Sequence, residues 1–149
     1  MTHILFIDDD TAIRDAVELL LTTSGFTVAM AENGRAGLAL YQSCKPDLIV
    51  TDVLMPDMEG IETIIHLRKL DPAVPIVAIS GGWKSDRTGG LGPLDLARMI
   101  GATITLPKPF SGEDFLGAVQ YCGSHVDSKA SSDAHNKDAA GLGTGEPGP

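Results

Sequence analysis

A chain of 149 residues, 43% of them hydrophobic, is long enough to bury one full core. Its formal net charge of −9 removes the Lys/Arg surplus that phosphate-backbone binding needs, so no nucleic-acid partner is expected. MTHILFIDDD lacks the basic start and long apolar core of a signal peptide, and no stretch approaches the ~20 apolar residues of a membrane span. Cys44 and Cys122 show no ligand-like spacing, and reduced thiols in a cytoplasmic protein without a membrane partner are expected.

The first apolar run, residues 3–7, is continuous rather than alternating, as in a strand covered on both faces, and it ends in Asp8-Asp9-Asp10. Ile13, Ala16, Val17, Leu20 and Leu21 then recur at helical spacing, with Asp10 or Thr11 suited to the start and Gly25 to the stop. A second run, 26–30, precedes a helix over 34–44 that ends before Pro46. The third run, 47–51, leads straight into Asp52 and then a turn at Met55-Pro56. Met58, Ile61, Ile64, Ile65 and Leu67 mark a third helix ending before Pro72, with Asp57 and Glu59 at its start. The fourth run, 75–79, ends in Ser80.

GGWKSDRTGGLG, residues 81–92, follows; a segment of this length is either functional or an insertion without chemistry of its own. Pro93 opens a fourth helix, tolerated in the first turn, that runs to residue 100. The fifth run, 103–106, passes into Lys108-Pro109, and a fifth helix is expected over 111–122. From residue 123 the composition turns to Gly, Ser, Ala, Asp and Pro, which cannot bury enough apolar surface to offset ordering entropy. The expectation is a folded domain over 1–122 and a disordered tail over 123–149.

Five strand–helix alternations imply right-handed crossovers and an α/β fold, a doubly wound five-stranded parallel sheet with five helices. Ligands bind such sheets beyond the carboxyl ends of the strands. There the sequence places Asp8 and Asp9, Asp52, Ser80 and Lys108. Clustered carboxylates repel unless a cation compensates them, and a hard divalent ion with oxygen ligands does so. A carboxylate beside that ion can attack a phosphoryl group, while a lysine and a hydroxyl neutralise and hydrogen-bond its oxygens.

IDDD after the first strand, TDVLMPDMEG at the end of the third, IVAIS in the fourth and LPKPF in the fifth together resemble the receiver domains (CheY-like) of bacterial two-component signalling. The resemblance covers about residues 1–122, and its force lies in the set and order of motifs rather than in any one of them. It implies the flavodoxin-like strand order 2-1-3-4-5. It implies that Asp52 is the phosphoacceptor and that Mg²⁺ (or Mn²⁺) is held by Asp8, Asp9, Asp52 and the backbone carbonyl of Leu54. Lys108 would contact the phosphoryl group, Ser80 would be the switch hydroxyl, and Pro109 would follow a cis peptide bond. Asp10 reads instead as a helix cap, and His3 and His66 as structural or surface residues.

Three departures stand out. Thr105 occupies the place where many receivers carry an aromatic residue; the segment after Ser80 is long and glycine-rich; and Leu54, two residues past Asp52, offers no side-chain hydrogen bond to an attacking water. The last feature leads us to expect an aspartyl phosphate whose lifetime is not especially short. The functional expectation is a single-domain response regulator phosphorylated on Asp52 by a histidine kinase or histidine phosphotransfer protein, signalling to a downstream protein target. It would not be a conventional enzyme, although it would catalyse its own phosphorylation and slow autodephosphorylation. The alternatives are an aspartyl-nucleophile phosphatase or phosphotransferase, against which the apolar Leu54 counts; a receiver module cut from a larger regulator; and a pseudo-receiver without phosphorylation.

Overall fold

A computed structural model describes residues 2–56, 60–81 and 92–123. In chain order the elements are β1 (His3–Ile7), α1 (Thr11–Thr23), β2 (Thr27–Ala31), α2 (Gly34–Cys44), β3 (Leu48–Asp52), α3 (Gly60–Leu70), β4 (Ile76–Gly81), α4 (Pro93–Met99) and β5 (Ile104–Lys108). Residues 112–123 form a further helix, α5. The strands make one parallel sheet in the order β2-β1-β3-β4-β5, so the fold is the doubly wound one expected.

The continuous apolar strands are explained by the two cores they serve. Leu5, Ile7, Ile49, Ile76 and Ala78 point to one face, under Ile64 and Leu67 of α3 and Ala97 of α4. Ile4, Phe6, Val50, Val77 and Ile79 alternate to the other, against Val17 and Leu21 of α1 and Phe115 and Val119 of α5. Each Leu, Ile, Val or Phe among them, fully buried, contributes roughly 1.5–3 kcal/mol. On the second face Phe115 stacks on Phe110 at 5.4 Å between ring centroids and meets Phe6 edge-on at 6.1 Å.

Asp10 caps α1, its carboxylate accepting from the backbone N–H of Ala12 and Ile13, and Asn33 caps α2 through Ala36 N–H. Asp95 accepts from Gly92 N–H at the start of α4.

Two expectations shift. β1 ends where expected, but the other four strands run one or two residues further toward their carboxyl ends than apolar content indicates, with backbone pairing continuing through Ala31, Asp52, Ser80, Gly81 and Lys108. Ile65 is exposed rather than part of the α3 stripe, in which Gly60, Thr63, Ile64 and Leu67 are buried and Ile61 packs partly buried against the same core. Asp57, Met58 and Glu59, most of the 81–92 segment and the tail beyond residue 123 lie outside the described residues. Among the described residues no helix is long and apolar enough to cross a membrane.

Candidate functional site

The carboxyl edge of the sheet collects the ionisable groups. Asp8 follows β1, Asp52 is the last residue of β3, and Lys108 is the last of β5, opposite Gly81. One carboxylate oxygen from each of Asp8, Asp9 and Asp52 falls within 4.8 Å of the others. Asp8 is fully buried, Asp52 is 5% exposed and Asp9 is open to solvent. Lys108 Nζ bridges the two buried carboxylates, 2.9 Å from Asp8 Oδ2 and 3.3 Å from Asp52 Oδ2.

The backbone completes the anchoring. Asp10 N–H donates to Asp8 Oδ1 at 2.9 Å, and Leu54 N–H to Asp52 Oδ1 at 3.2 Å. Gly60 closes the turn after β3, its N–H donating to Val53 O; a Cβ there would collide with the Asp52 carbonyl. Only glycine lets α3 start that close to the strand end.

One lysine cannot balance three carboxylates. Burial and then the negative charge of Asp8 push the Asp52 carboxyl above its ordinary range, against the opposing pull of Lys108 and Leu54 N–H. For Lys108 burial disfavours the ammonium, but the hydrogen bond to Asp8 and the charges of Asp52 and Asp8 outweigh it, and its pKa is raised.

Ser80 is the second anomaly. It is 6% exposed, and its Oγ is buried without a hydrogen-bond partner among the described residues. Buried hydroxyls are nearly always paired, and an unpaired one asks for an explanation.

The Lys108–Pro109 peptide is cis. Leu54 lies 42% exposed in the same turn as Asp52. Thr105 Oγ1 accepts from Arg98 Nη2 at 2.8 Å, which ties β5 to α4. His66 is exposed on α3, and His3 Nδ1 lies 2.8 Å from Thr27 Oγ1 at the opposite end of the sheet. Both cysteines are free, and burial pushes the Cys122 thiol up to about 11.

Residues 4–120 match the family model described as the response regulator receiver domain. The chain belongs to the response regulator receiver domain family. It is 36% identical over 119 residues to the response regulator MprA of Mycolicibacterium vanbaalenii, covering 79% of this chain and 48% of that protein. The chain thus spans about half the length of the curated relatives it matches. A CheY-like receiver domain protein from Methanospirillum hungatei superposes with a TM-score of 0.79 at 27% identity, covering 87% of this chain and 98% of the other. The chemotaxis response regulator CheY4 of Vibrio cholerae superposes with a TM-score of 0.71 at 31% identity, covering 82% and 98%.

Reading the sequence alone passes over one residue of this receiver's acidic edge. Arg14 Nη1 donates to the carbonyl oxygen of Asp8 at 2.7 Å, and Nη2 to Thr11 Oγ1 at 3.2 Å. The available signal was a cation in the first turn of a helix, the end that favours anions.

Proposed function

We propose that this receiver accepts a phosphoryl group on Asp52 from a phosphohistidine of a sensor kinase or phosphotransfer protein, and signals through a phosphorylation-biased switch. The observation that carries the reading is the pairing of an incompletely neutralised carboxylate cluster with the unpartnered Ser80 hydroxyl.

The donor set is all oxygen and net negative, which suits a hard divalent cation such as Mg²⁺. Asp8, Asp9 and Asp52, with the Leu54 carbonyl, would hold it; when bound, it neutralises charge on phosphoryl oxygens. An oxygen of Asp52 attacks phosphorus while the P–N bond to the donor imidazole breaks, and the leaving imidazole takes up a proton. Lys108, already beside Asp52, hydrogen-bonds a phosphoryl oxygen. Ser80 supplies the donor that the new oxygens demand, and this movement biases β4, β5 and α4 toward a second arrangement. The Arg98–Thr105 hydrogen bond is the link on that face, in place of an aromatic residue. Output by protein contact fits the acidic charge. The length of the relatives also favours a second reading, in which the same switch serves as one module of a larger regulator.

The test is intact mass after incubation with Mg²⁺ and acetyl phosphate, for the native chain and Asp52→Asn. One added phosphoryl group that needs both Mg²⁺ and Asp52 supports the proposal. Absence of adduct and of donor turnover overturns it in favour of an interaction module. Asp52-dependent turnover without accumulation overturns it in favour of a phosphatase.

A further inference from the structure

Arg14 is misplaced by the rules of helix electrostatics and well placed by the geometry of the acidic edge. It lies in the first turns of α1, where the exposed N–H groups already make the potential positive. Its guanidinium turns back from the helix and spans two acceptors, the Asp8 carbonyl and the Thr11 hydroxyl. Between these two points lies Asp9, which is exposed and makes no hydrogen bond or ion pair among the described residues. The same turn is fastened from inside by Asp10, through its N–H to Asp8 Oδ1 and its carboxylate to the N–H groups of Ala12 and Ile13. Asp9 has no contact of its own to orient it. Its direction is set by the peptides on either side, and one of these is held by Arg14.

We propose that Arg14 is a positioning residue for the cation-binding carboxylates, clamping the Asp8-Asp9 peptide so that both side chains face Asp52. The proposal rests on the receiver reading above. A planar fork with fixed donor spacing is required to hold a carbonyl and a hydroxyl together, so lysine is not equivalent.

The sign of the effect separates positioning from charge. Removing a nearby positive charge by itself tightens cation binding, whereas loss of the clamp weakens it. Mn²⁺ titration followed by the electron paramagnetic resonance of the free ion reads affinity directly, without phosphorylation, and circular dichroism melts in chelator report folding. Arg14→Gln is expected to bind Mn²⁺ about tenfold more weakly, the scale on which residues that orient metal ligands act. Arg14→Lys loses the fork but keeps the charge, so it lacks the offsetting gain and is expected to bind Mn²⁺ at least as weakly as Arg14→Gln.

A folded Arg14→Gln that binds as tightly as the native chain, or more tightly, overturns the proposal. Where Arg14→Gln does not fold, Arg14→Lys decides, and native affinity in that variant overturns it. A native chain that takes up no Mn²⁺ removes the receiver chemistry itself, a failure distinct from one confined to Arg14.

Discussion

The two edges of the sheet spend similar polar groups in opposite ways. At the amino edge Arg68 is surrounded by acceptors: its Nε and Nη2 donate to Gly101 O at 2.9 and 2.7 Å, and its Nη1 to Val74 O at 2.6 Å and Asp71 O at 3.2 Å. Asp71 in turn accepts from the N–H groups of Ala73 and Val74 and from the Tyr41 hydroxyl. Gly101, at φ +122°, has no Cβ to collide with Arg68. At the carboxyl edge Asp8 and Asp52 share Lys108, and Asp9 and Ser80 Oγ have no partner among the described residues. One edge is satisfied and closes the loops between elements. The other is left short of positive charge and of one hydrogen bond, which the proposed cation and phosphoryl group would supply.

If the amino edge is purely structural, Arg68→Met should cost more stability than any single change at the carboxyl edge. It strands three backbone carbonyls that water reaches poorly, at about 3 kcal/mol. Urea unfolding should show this loss, while the extent of phosphorylation by acetyl phosphate at a temperature where both forms are folded should not change. A phosphorylation defect in a still-stable variant would erase the division of labour between the edges.

The carboxyl edge should respond to a cation instead. A ligand that binds only the folded state at a hundred times its dissociation constant stabilises by about 2.7 kcal/mol. Thermal melts in Mg²⁺ and in chelator should differ on that scale for the native chain. Asp9→Asn removes an exposed, unpaired carboxylate, so its metal-free stability should stay within about 0.5 kcal/mol of the native chain. The Mg²⁺ gain, however, should largely disappear. Equal gains in the two proteins would mean that the cation binds elsewhere.

Asp52 tests the charge imbalance itself. Its folded pKa is raised, so the folded state holds its proton more tightly than the unfolded chain does. Ionised Asp52 therefore costs stability. The cost is absent below the ordinary carboxylate value of 3.8, grows as pH rises toward the raised folded value, and is complete above it. Asp52→Asn should accordingly stabilise the metal-free protein by about 1 kcal/mol at pH 7, and the advantage should vanish near pH 4. Destabilisation at pH 7 would show that the Lys108 ion pair outweighs burial and the repulsion from Asp8.

The contrast between the edges was half legible in the sequence. The carboxyl edge announces itself, because Asp8, Asp9, Asp52, Ser80 and Lys108 each break an apolar run at its end and parallel topology brings run ends together. The amino edge does not. Arg68 and Asp71 look like an ordinary helix terminus, and only the three-dimensional path of the loop after α4 brings Gly101 and Thr103 against them. Strand ends were blurred for a related reason, since apolar content stops at Thr51 and Ile79 while backbone pairing continues through Asp52 and Gly81. Arg14 was hidden because its role depends on a side chain turning back across the preceding loop, which spacing does not encode.

Ser80 offers the smallest effect on stability and the clearest separation of folding from function. Its Oγ carries the desolvation cost of a buried hydroxyl without a hydrogen bond in return, so Ser80→Ala should be neutral to stabilising, by less than about 1 kcal/mol. The same change removes the unpaired hydroxyl donor at the end of β4 that new phosphoryl oxygens could recruit. The variant should therefore still accept the phosphoryl group on Asp52 but should not transmit it. The difference between apo and phosphorylated forms in amide hydrogen exchange over β4 and α4, expected in the native chain, should shrink or vanish. If the difference persists undiminished, the unpaired hydroxyl is a packing defect, and the signal leaves the site by another route, through Lys108 and β5.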